Sequence, residues 1–196
     1  MQKESFKERE RRRREEEILA EAGRMIRKQG LTALNMDTLA ELVGVSKPTL
    51  YQHFKSKEEL IARILMDGIE GLEQYLLSTT QNPPMERLTN TLRMLLENRY
   101  APDGLLAGVG AQMIFTTVHT HEGVIARKSR VRALLDAVVE EGKARGDIEP
   151  SLPTSIISCM IFNIMGLPAA DEMEHDVQAA IQYVIHIFTR AVQRNA

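Results

Sequence analysis

A short segment near the N-terminus carries side chains suited to recognising another molecule rather than to making or breaking bonds. Residues 46–53 read SKPTLYQH. Lysine can donate to guanine O6 and N7, glutamine can pair with adenine, and proline or the threonine methyl group can contact a thymine methyl. Tyrosine, histidine and lysine also suit phosphate oxygens. The chemistry predicted for this segment is hydrogen bonding to the base edges and phosphates of DNA.

Two short helices and a tight turn are predicted to position these side chains. Thr38 and Glu41 have the spacing of a capping box, which predicts a helix start at Thr38. Gly44 supplies a left-handed backbone position that a residue with a Cβ would resist. The residues predicted to face inward from this first helix are Leu39, Leu42 and Val43.

The second helix of the pair and the long helix after it also have recognisable starts. Ser46 is predicted to cap the second helix, and Pro48 is tolerated in its first turn because its missing N–H has no partner to lose. Ser56 and Glu59 predict a further capping box, which opens a helix that runs to about residue 78.

A helix pair of this kind can place its second member in the major groove, while the first crosses the backbone. Thr38, Tyr51 and Lys57 are predicted to hold phosphates. The alternative is a plain helical hairpin whose polar face is merely solvated. The full set of predicted DNA-binding residues is Thr38, Ser46, Lys47, Pro48, Thr49, Tyr51, Gln52, His53 and Lys57.

Charge is distributed unevenly along the chain. Residues 1–57 hold thirteen basic and nine acidic residues, whereas the remainder holds twelve basic and eighteen acidic ones. Basic charge near the helix pair would attract phosphate. The run Arg11–Arg14 allows two interpretations, namely additional DNA contacts or a solvated helix end paired with flanking glutamates.

The remaining sequence predicts further helices and no strand. Helical patterns occur at roughly 84–98, 104–119, 122–145, 152–168 and 173–193, separated by turn-forming segments. We therefore predict an all-α protein. Its domains would be an N-terminal helix-turn-helix module of residues 1–57 and a larger C-terminal body of residues 58–196.

Several classes of protein are disfavoured by composition and motif. The single Cys159 excludes an intrachain disulfide, and no cationic residue flanks it in sequence to favour a redox role. No signal peptide and no membrane span are predicted, which fits a cytoplasmic protein without membrane association. No catalytic motif, metal site or cofactor is predicted, so we expect a protein that is not an enzyme.

The segment GVSKPTLYQHFKSKEEL resembles the signature of the TetR family of bacterial transcriptional regulators, and the likeness spans roughly residues 18–65. The resemblance implies a protomer of about nine helices that binds palindromic operator DNA as a homodimer, usually as a repressor released by a small ligand. It assigns phosphate contacts to Thr38, Tyr51, His53 and Lys57, and base contacts to Lys47, Pro48 and Thr49. Gln52 lies where side chains vary across the family, so its role stays open.

The resemblance further implies that the last two helices pair across a two-fold axis and that a cavity for a small apolar or amphipathic ligand lies in the C-terminal body. The alternative for each of these side chains is ordinary core packing. The predicted dimer residues are Ile156, Met160, Ile164, Ile181, Val184 and Phe188. The predicted ligand-binding residues are Met94, Met113, Phe115, His119 and Phe162.

Two other functions compete with the ligand-released repressor. One is a DNA-binding regulator without an inducer. The other is an all-helical small-molecule-binding protein or enzyme whose helix-turn-helix is vestigial.

Overall fold

A computed structural model describes residues 5–30, 34–100, 116–117, 120–163 and 176–194. Within these residues eight helices occur, together with one isolated bridge between Ile148 and Gln193. The all-α class is thereby confirmed. The helices are α1 (Phe6–Gln29), α2 (Met36–Val43), α3 (Lys47–His53), α4 (Lys57–Ser78), α5 (Pro84–Tyr100), α6 (Glu122–Arg145), α7 (Thr154–Phe162) and α8 (Val177–Val192).

The first helix begins far ahead of its apolar face. Ser5 and Glu8 form a capping box, in which the Glu8 N–H donates to Ser5 Oγ at 3.2 Å and the Ser5 N–H to Glu8 Oε2 at 2.8 Å. From there to Glu17 the helix is stabilised by charge pairs three or four residues apart. The buried face starts only at Ile18. The predicted helical extension on solvated charge pairs is present.

The start of α2 differs from the prediction. The helix begins at Met36 and is capped by Asn35, whose Oδ1 accepts from the Asp37 N–H at 2.7 Å. The prediction of a capping box at Thr38 and Glu41 was therefore wrong, because Thr38 already lies inside the helix. Burial of Leu34 and Met36 draws the helix start toward the core, and Asn35 is as good a cap as threonine.

The inward face of α2 also differs at one position. Leu42 was expected to be buried, yet 57% of it is exposed. Met36, Leu39, Ala40 and Val43 lie at the spacing i, i+3, i+4 and i+7 and form the packed stripe of this two-turn helix. Leu42 lies off that stripe and faces outward.

Two hydrophobic cores stabilise the described part of the molecule. The N-terminal core joins α1–α4, and the C-terminal core joins α4–α8. Helix α4 contributes Leu60 and Ile61 to the first core, and Leu72 and Leu76 to the second. The domain boundary at residue 57 stays a prediction, since α4 packs in both cores.

Helix α6 crosses between the cores as α4 does. Val124, fully buried, belongs to the N-terminal core, whereas Val131 and Leu135 belong to the C-terminal core. Ion pairs line the seam between the two helices, with Arg127 Nη1 at 2.7 Å from Glu70 Oε2 and Arg130 Nε at 3.3 Å from Glu73 Oε1. No helix among the described residues is both long enough and apolar enough to cross a bilayer.

Candidate nucleic-acid interface

The turn between α2 and α3 is closed by backbone hydrogen bonds. Gly44 lies in the left-handed region with φ 74° and ψ 34°, and its N–H reaches the carbonyls of Ala40 and Glu41. The Val45 N–H also donates to Ala40 O, at 2.9 Å. This closure ends α2 and turns the chain directly into α3.

Helix α3 is capped at one end and anchored through one face. The Thr49 N–H donates to Ser46 Oγ at 3.2 Å, and the two hydroxyl oxygens lie 2.7 Å apart. Pro48 lies in the first turn, as predicted. Leu50 is fully buried, and Phe54, 4% exposed, follows the helix end. Core packing therefore orients α3 and leaves its opposite face to solvent.

The polar residues predicted to meet DNA lie on that solvent face or next to it. Lys47, Pro48, Tyr51 and Gln52 are exposed, and Thr49 is half-buried. The predicted phosphate contacts from outside α3 are Thr38, which is exposed on α2, and Lys57, which is half-buried at the start of α4.

An ion pair links the two helices of the motif. Lys47 Nζ lies 2.8 Å from Asp37 Oδ1 and 2.9 Å from Oδ2. The hydrogen bond to the Asp37 carboxylate raises the pKa of Lys47. Asp37 thus holds the lysine ammonium at the start of α3.

His53 is less accessible than its neighbours on α3. Only 13% of its side chain is exposed, and its Nδ1 lies 3.3 Å from Glu15 Oε1 on α1. Arg11 Nε donates to the same carboxylate oxygen at 2.9 Å. Sequence reasoning missed Glu15, because 38 residues separate it from His53 and nothing in either local pattern indicates the contact.

The N-terminus of α4 adjoins the end of α3. Ser56 caps α4 by accepting from the Glu59 N–H at 3.2 Å. The Glu59 carboxylate accepts from the Lys55 N–H at 2.7 Å. In a full capping box it would instead accept from the N–H of the capping residue, Ser56. These contacts tie the connection after α3 to the first turn of α4.

The arginines of the Arg11–Arg14 run all have acidic partners within α1. Arg11 pairs with Glu15 and Arg12 with Glu16, while Arg13 and Arg14 both reach Glu17. Their side chains remain 35–66% exposed. The run is therefore solvated and internally paired in the free protein, and contact with DNA would have to exchange those partners.

The predicted ligand residues are only partly within the described residues. Met94 is half-buried against the C-terminal core, and so is Phe162, whose ring centroid lies 5.9 Å from Lys128 Nζ. Met113, Phe115 and His119 lie outside the described residues.

The predicted dimer residues divide into exposed and buried groups. Ile156 and Met160 on α7 are 55% and 40% exposed. Ile181 and Phe188 on α8 are buried in the C-terminal core and Val184 is half-buried, while Ile164 lies outside the described residues. The structure adds two exposed apolar residues that the prediction left out, Tyr183 and Ile187, at 57% and 64%. Their spacing of four residues was the available signal.

Comparison with known proteins gives consistent results. The family model described as "Bacterial regulatory proteins, tetR family" matches residues 18–64. The HTH-type transcriptional repressor KstR2 of Mycolicibacterium smegmatis is 27% identical over 150 residues, which cover 74% of this chain and 72% of that protein. The HTH-type transcriptional activator FasR of the same organism is 27% identical over 152 residues, covering 66% and 69%.

A solved structure resembles this chain over most of its length. AibR in complex with isovaleryl coenzyme A and operator DNA aligns over 89% of this chain and 97% of its own, with a TM-score of 0.62 and 21% identity. The helix-turn-helix geometry and the family match over residues 18–64 identify this N-terminal segment as a DNA-binding module of the tetR family of bacterial regulatory proteins, and the remainder of the chain is similar to regulators that carry the same module.

Proposed function

We propose that two copies of this chain bind a palindromic operator and repress transcription until a small apolar or amphipathic ligand releases them. The observation that carries the proposal is the outward face of α3. Its opposite face is anchored by Leu50, while Lys47, Tyr51 and Gln52 remain accessible beside the exposed Thr38 of α2. A capped, core-anchored helix with such residues matches what major-groove reading requires.

Dimerisation is supported by apolar side chains that the protomer leaves exposed near its C-terminus. Ile156 and Met160 on α7, and Tyr183 and Ile187 on α8, are at least 40% exposed. Burying them against a second copy would be favourable, in proportion to the apolar area removed from water. A two-fold axis would then place two α3 helices about one DNA turn apart, roughly 34 Å.

Ligand control is supported by the path of α4. This helix begins beside the recognition helix and ends in the C-terminal core. A ligand that favours another tilt of α4 would weaken operator binding, and operator DNA would weaken ligand binding by the same factor. AibR, bound to isovaleryl coenzyme A, suggests acyl-coenzyme A thioesters as the first compounds to test.

Activation instead of repression is the second candidate, because FasR, an activator, has the same 27% identity to this chain as the repressor KstR2. A reporter gene placed behind the bound DNA distinguishes the two. Repression predicts lower expression with the protein than without it, and an activator predicts the opposite.

DNA recognition is tested by selecting duplexes from a random pool with the purified protein and measuring their affinity by fluorescence anisotropy. Tyr51→Ala and Lys57→Ala should weaken binding to all duplexes alike, because phosphate contacts carry no sequence information. Lys47→Ala should relax the preference at particular base pairs, at a cost of about 1–3 kcal/mol. A matched control is Arg145→Ala, which removes an exposed positive charge at the far end of α6.

Two outcomes would contradict the proposal. A selection that enriches no duplex at low salt would remove DNA binding altogether. Equal effects of Lys47→Ala and Lys57→Ala on every duplex would remove the division between base and phosphate contacts. If acyl-coenzyme A thioesters and a broader set of apolar compounds all leave operator affinity unchanged, the regulator has no inducer of this class.

A further inference from the structure

The end of the recognition helix makes a polar contact with α1 that the predicted DNA interface does not explain. His53 Nδ1 lies 3.3 Å from Glu15 Oε1, and the side chains are 13% and 24% exposed. The same carboxylate oxygen accepts from Arg11 Nε at 2.9 Å. A half-buried carboxylate thus joins the helix carrying the charged N-terminal extension to the helix predicted to enter the major groove.

The chemistry of this contact depends on which ring nitrogens carry hydrogen. Burial acts to raise the pKa of Glu15, but the hydrogen bonds from Arg11 and His53 outweigh it, so the net pKa lies below the usual value. An ionised carboxylate can only accept, so Nδ1 of His53 must carry a hydrogen. If the ring is neutral, Nε2 is then an acceptor and repels a phosphate oxygen. If it is protonated, Nε2–H is a charged donor.

We infer that Glu15 is a positioning residue that holds His53 as an imidazolium against a DNA phosphate, so that operator binding takes up a proton at this side chain. The inference rests on the proposed function and deepens it. One ring N–H would donate to Glu15 and the other to the phosphate. The Glu15 carboxylate on one edge of the ring and a DNA phosphate on the other would both favour the cationic form of His53. In the free protein only the Glu15 carboxylate is present.

The helices around α3 carry further charged groups. On α1, Arg11 shares the Glu15 oxygen and opposes protonation of the ring. On α2, Asp37 is paired with Lys47, while Glu41 is exposed. After α3 come Lys55, Lys57, Glu58 and Glu59, of which Glu59 accepts from the Lys55 N–H. None of these residues is itself substituted in the variants below. Glu15→Gln takes a carboxylate partner from Arg11, and the control Glu16→Gln takes one from Arg12, so the comparison of the two variants accounts for a released arginine.

The test measures affinity against pH for the duplex that the wild-type protein enriches most strongly from a random pool. Wild-type affinity should rise as pH falls from about 8.5 to about 6, by up to ~10-fold per pH unit for each proton taken up, with at most one per protomer. His53→Gln should remove this dependence. Glu15→Gln should bind more weakly than wild type at about pH 8 and approach it near pH 5.5, because its imidazolium forms only at lower pH.

Glu16→Gln is the matched control for Glu15→Gln. Glu16 is the next residue of α1, is 68% exposed in its side chain, and pairs with Arg12 rather than with His53. Both variants remove one negative charge from adjacent positions of α1, so an effect of net charge alone would appear in both. The Glu16→Gln profile should run parallel to that of the wild type at every pH.

Nuclear magnetic resonance of ¹⁵N-histidine-labelled protein gives a second readout that a merely structural role would not move. His53 is assigned by the resonance missing from His53→Gln. In the wild-type complex at about pH 7, both ring nitrogens should show the shifts of an imidazolium, whereas Glu15→Gln should show a neutral ring. Thermal unfolding by circular dichroism shows whether each variant is folded.

The outcomes separate this inference from the proposed function. Wild-type protein that binds no duplex overturns both. Wild-type binding with pH profiles unchanged in His53→Gln and Glu15→Gln overturns the inference alone, as does a neutral His53 ring in the wild-type complex. If His53→Gln removes the pH dependence of DNA affinity but Glu15→Gln does not, the proton is taken up at His53 and Glu15 does not position it.

Discussion

Gly44 shows how one residue's backbone determines the geometry of the helix pair. Its φ of 74° is unfavourable for residues with a Cβ, yet a Cβ built there would meet nothing within 4 Å. Gly71, in the interior of α4, has equally open surroundings. Alanine substitutions at these two glycines therefore separate the effect of backbone conformation from the effect of side-chain packing.

Gly44→Ala should lower the free energy of unfolding by about 1–2 kcal/mol, the cost of a left-handed conformation for an L-residue. Gly71→Ala should raise it by roughly 0.5–1 kcal/mol, because alanine loses less entropy than glycine inside a helix. Urea denaturation followed by circular dichroism measures both. A loss of similar size in the two variants would show that packing, not backbone strain, sets the requirement at Gly44.

At the scale of elements, α8 has an apolar side toward the core and another toward solvent. Ile181, Ile185 and Phe188 pack inward, while Tyr183 and Ile187 face outward. The neighbouring α7 leaves Ile156 and Met160 exposed in the same way. In a monomeric protein, the outer face of a surface helix is expected to be polar, so adjacent exposed apolar residues indicate an interaction surface.

Ile187→Glu should weaken the proposed homodimer about 100-fold or more, which corresponds to roughly 2.7 kcal/mol, because pairing would bury a charge. Leu77→Glu is the matched control, since Leu77 on α4 is 57% exposed and Ile187 is 64% exposed. Analytical ultracentrifugation over a range of protein concentrations measures both. Dissociation constants that shift equally in the two variants would place the interface elsewhere.

At the scale of the whole molecule, α4 and α6 connect the two hydrophobic cores. Val124 at the start of α6 is fully buried in the N-terminal core, although most of its helix packs in the other core. The seam between α4 and α6 is lined by Arg127 and Arg130 with Glu70 and Glu73. A change in the C-terminal body therefore has two routes to the helix-turn-helix.

Val124→Ala should lower the free energy of unfolding by about 1–3 kcal/mol and increase hydrogen exchange in α2 and α3, because the lost methyl groups leave a gap in the N-terminal core. Ile125→Ala, at the next residue, should have little effect since Ile125 is 39% exposed. Mass spectrometry of exchanged peptides measures this. Faster exchange confined to α6 would show that Val124 does not couple the two cores.

Features that depend on neighbouring residues were predictable. The left-handed Gly44, the Ser46 cap and the extent of α4 agree with the structure. These follow from hydrogen bonds between residues three to five apart, which leave a periodic pattern in the sequence. The start of α2 was missed because Asn35 and Thr38 are both good caps, and burial of Leu34 and Met36 decided between them.

Contacts between distant residues required the tertiary structure. Sequence neighbours gave Cys159 no cation, yet Arg132 on α6 places Nη1 3.1 Å from its Sγ. Glu15 meets His53 across 38 residues in the same way.

By itself, therefore, the sequence determined the all-α class, the tight turn at Gly44 and the starts of α3 and α4, because these depend on local backbone chemistry. The predicted helix at 104–119 lies almost entirely outside the described residues. Only the fold decided which side chains meet across helices and which apolar residues stay exposed. Those outcomes depend on the angle and register at which helices pack, and local periodicity does not encode either.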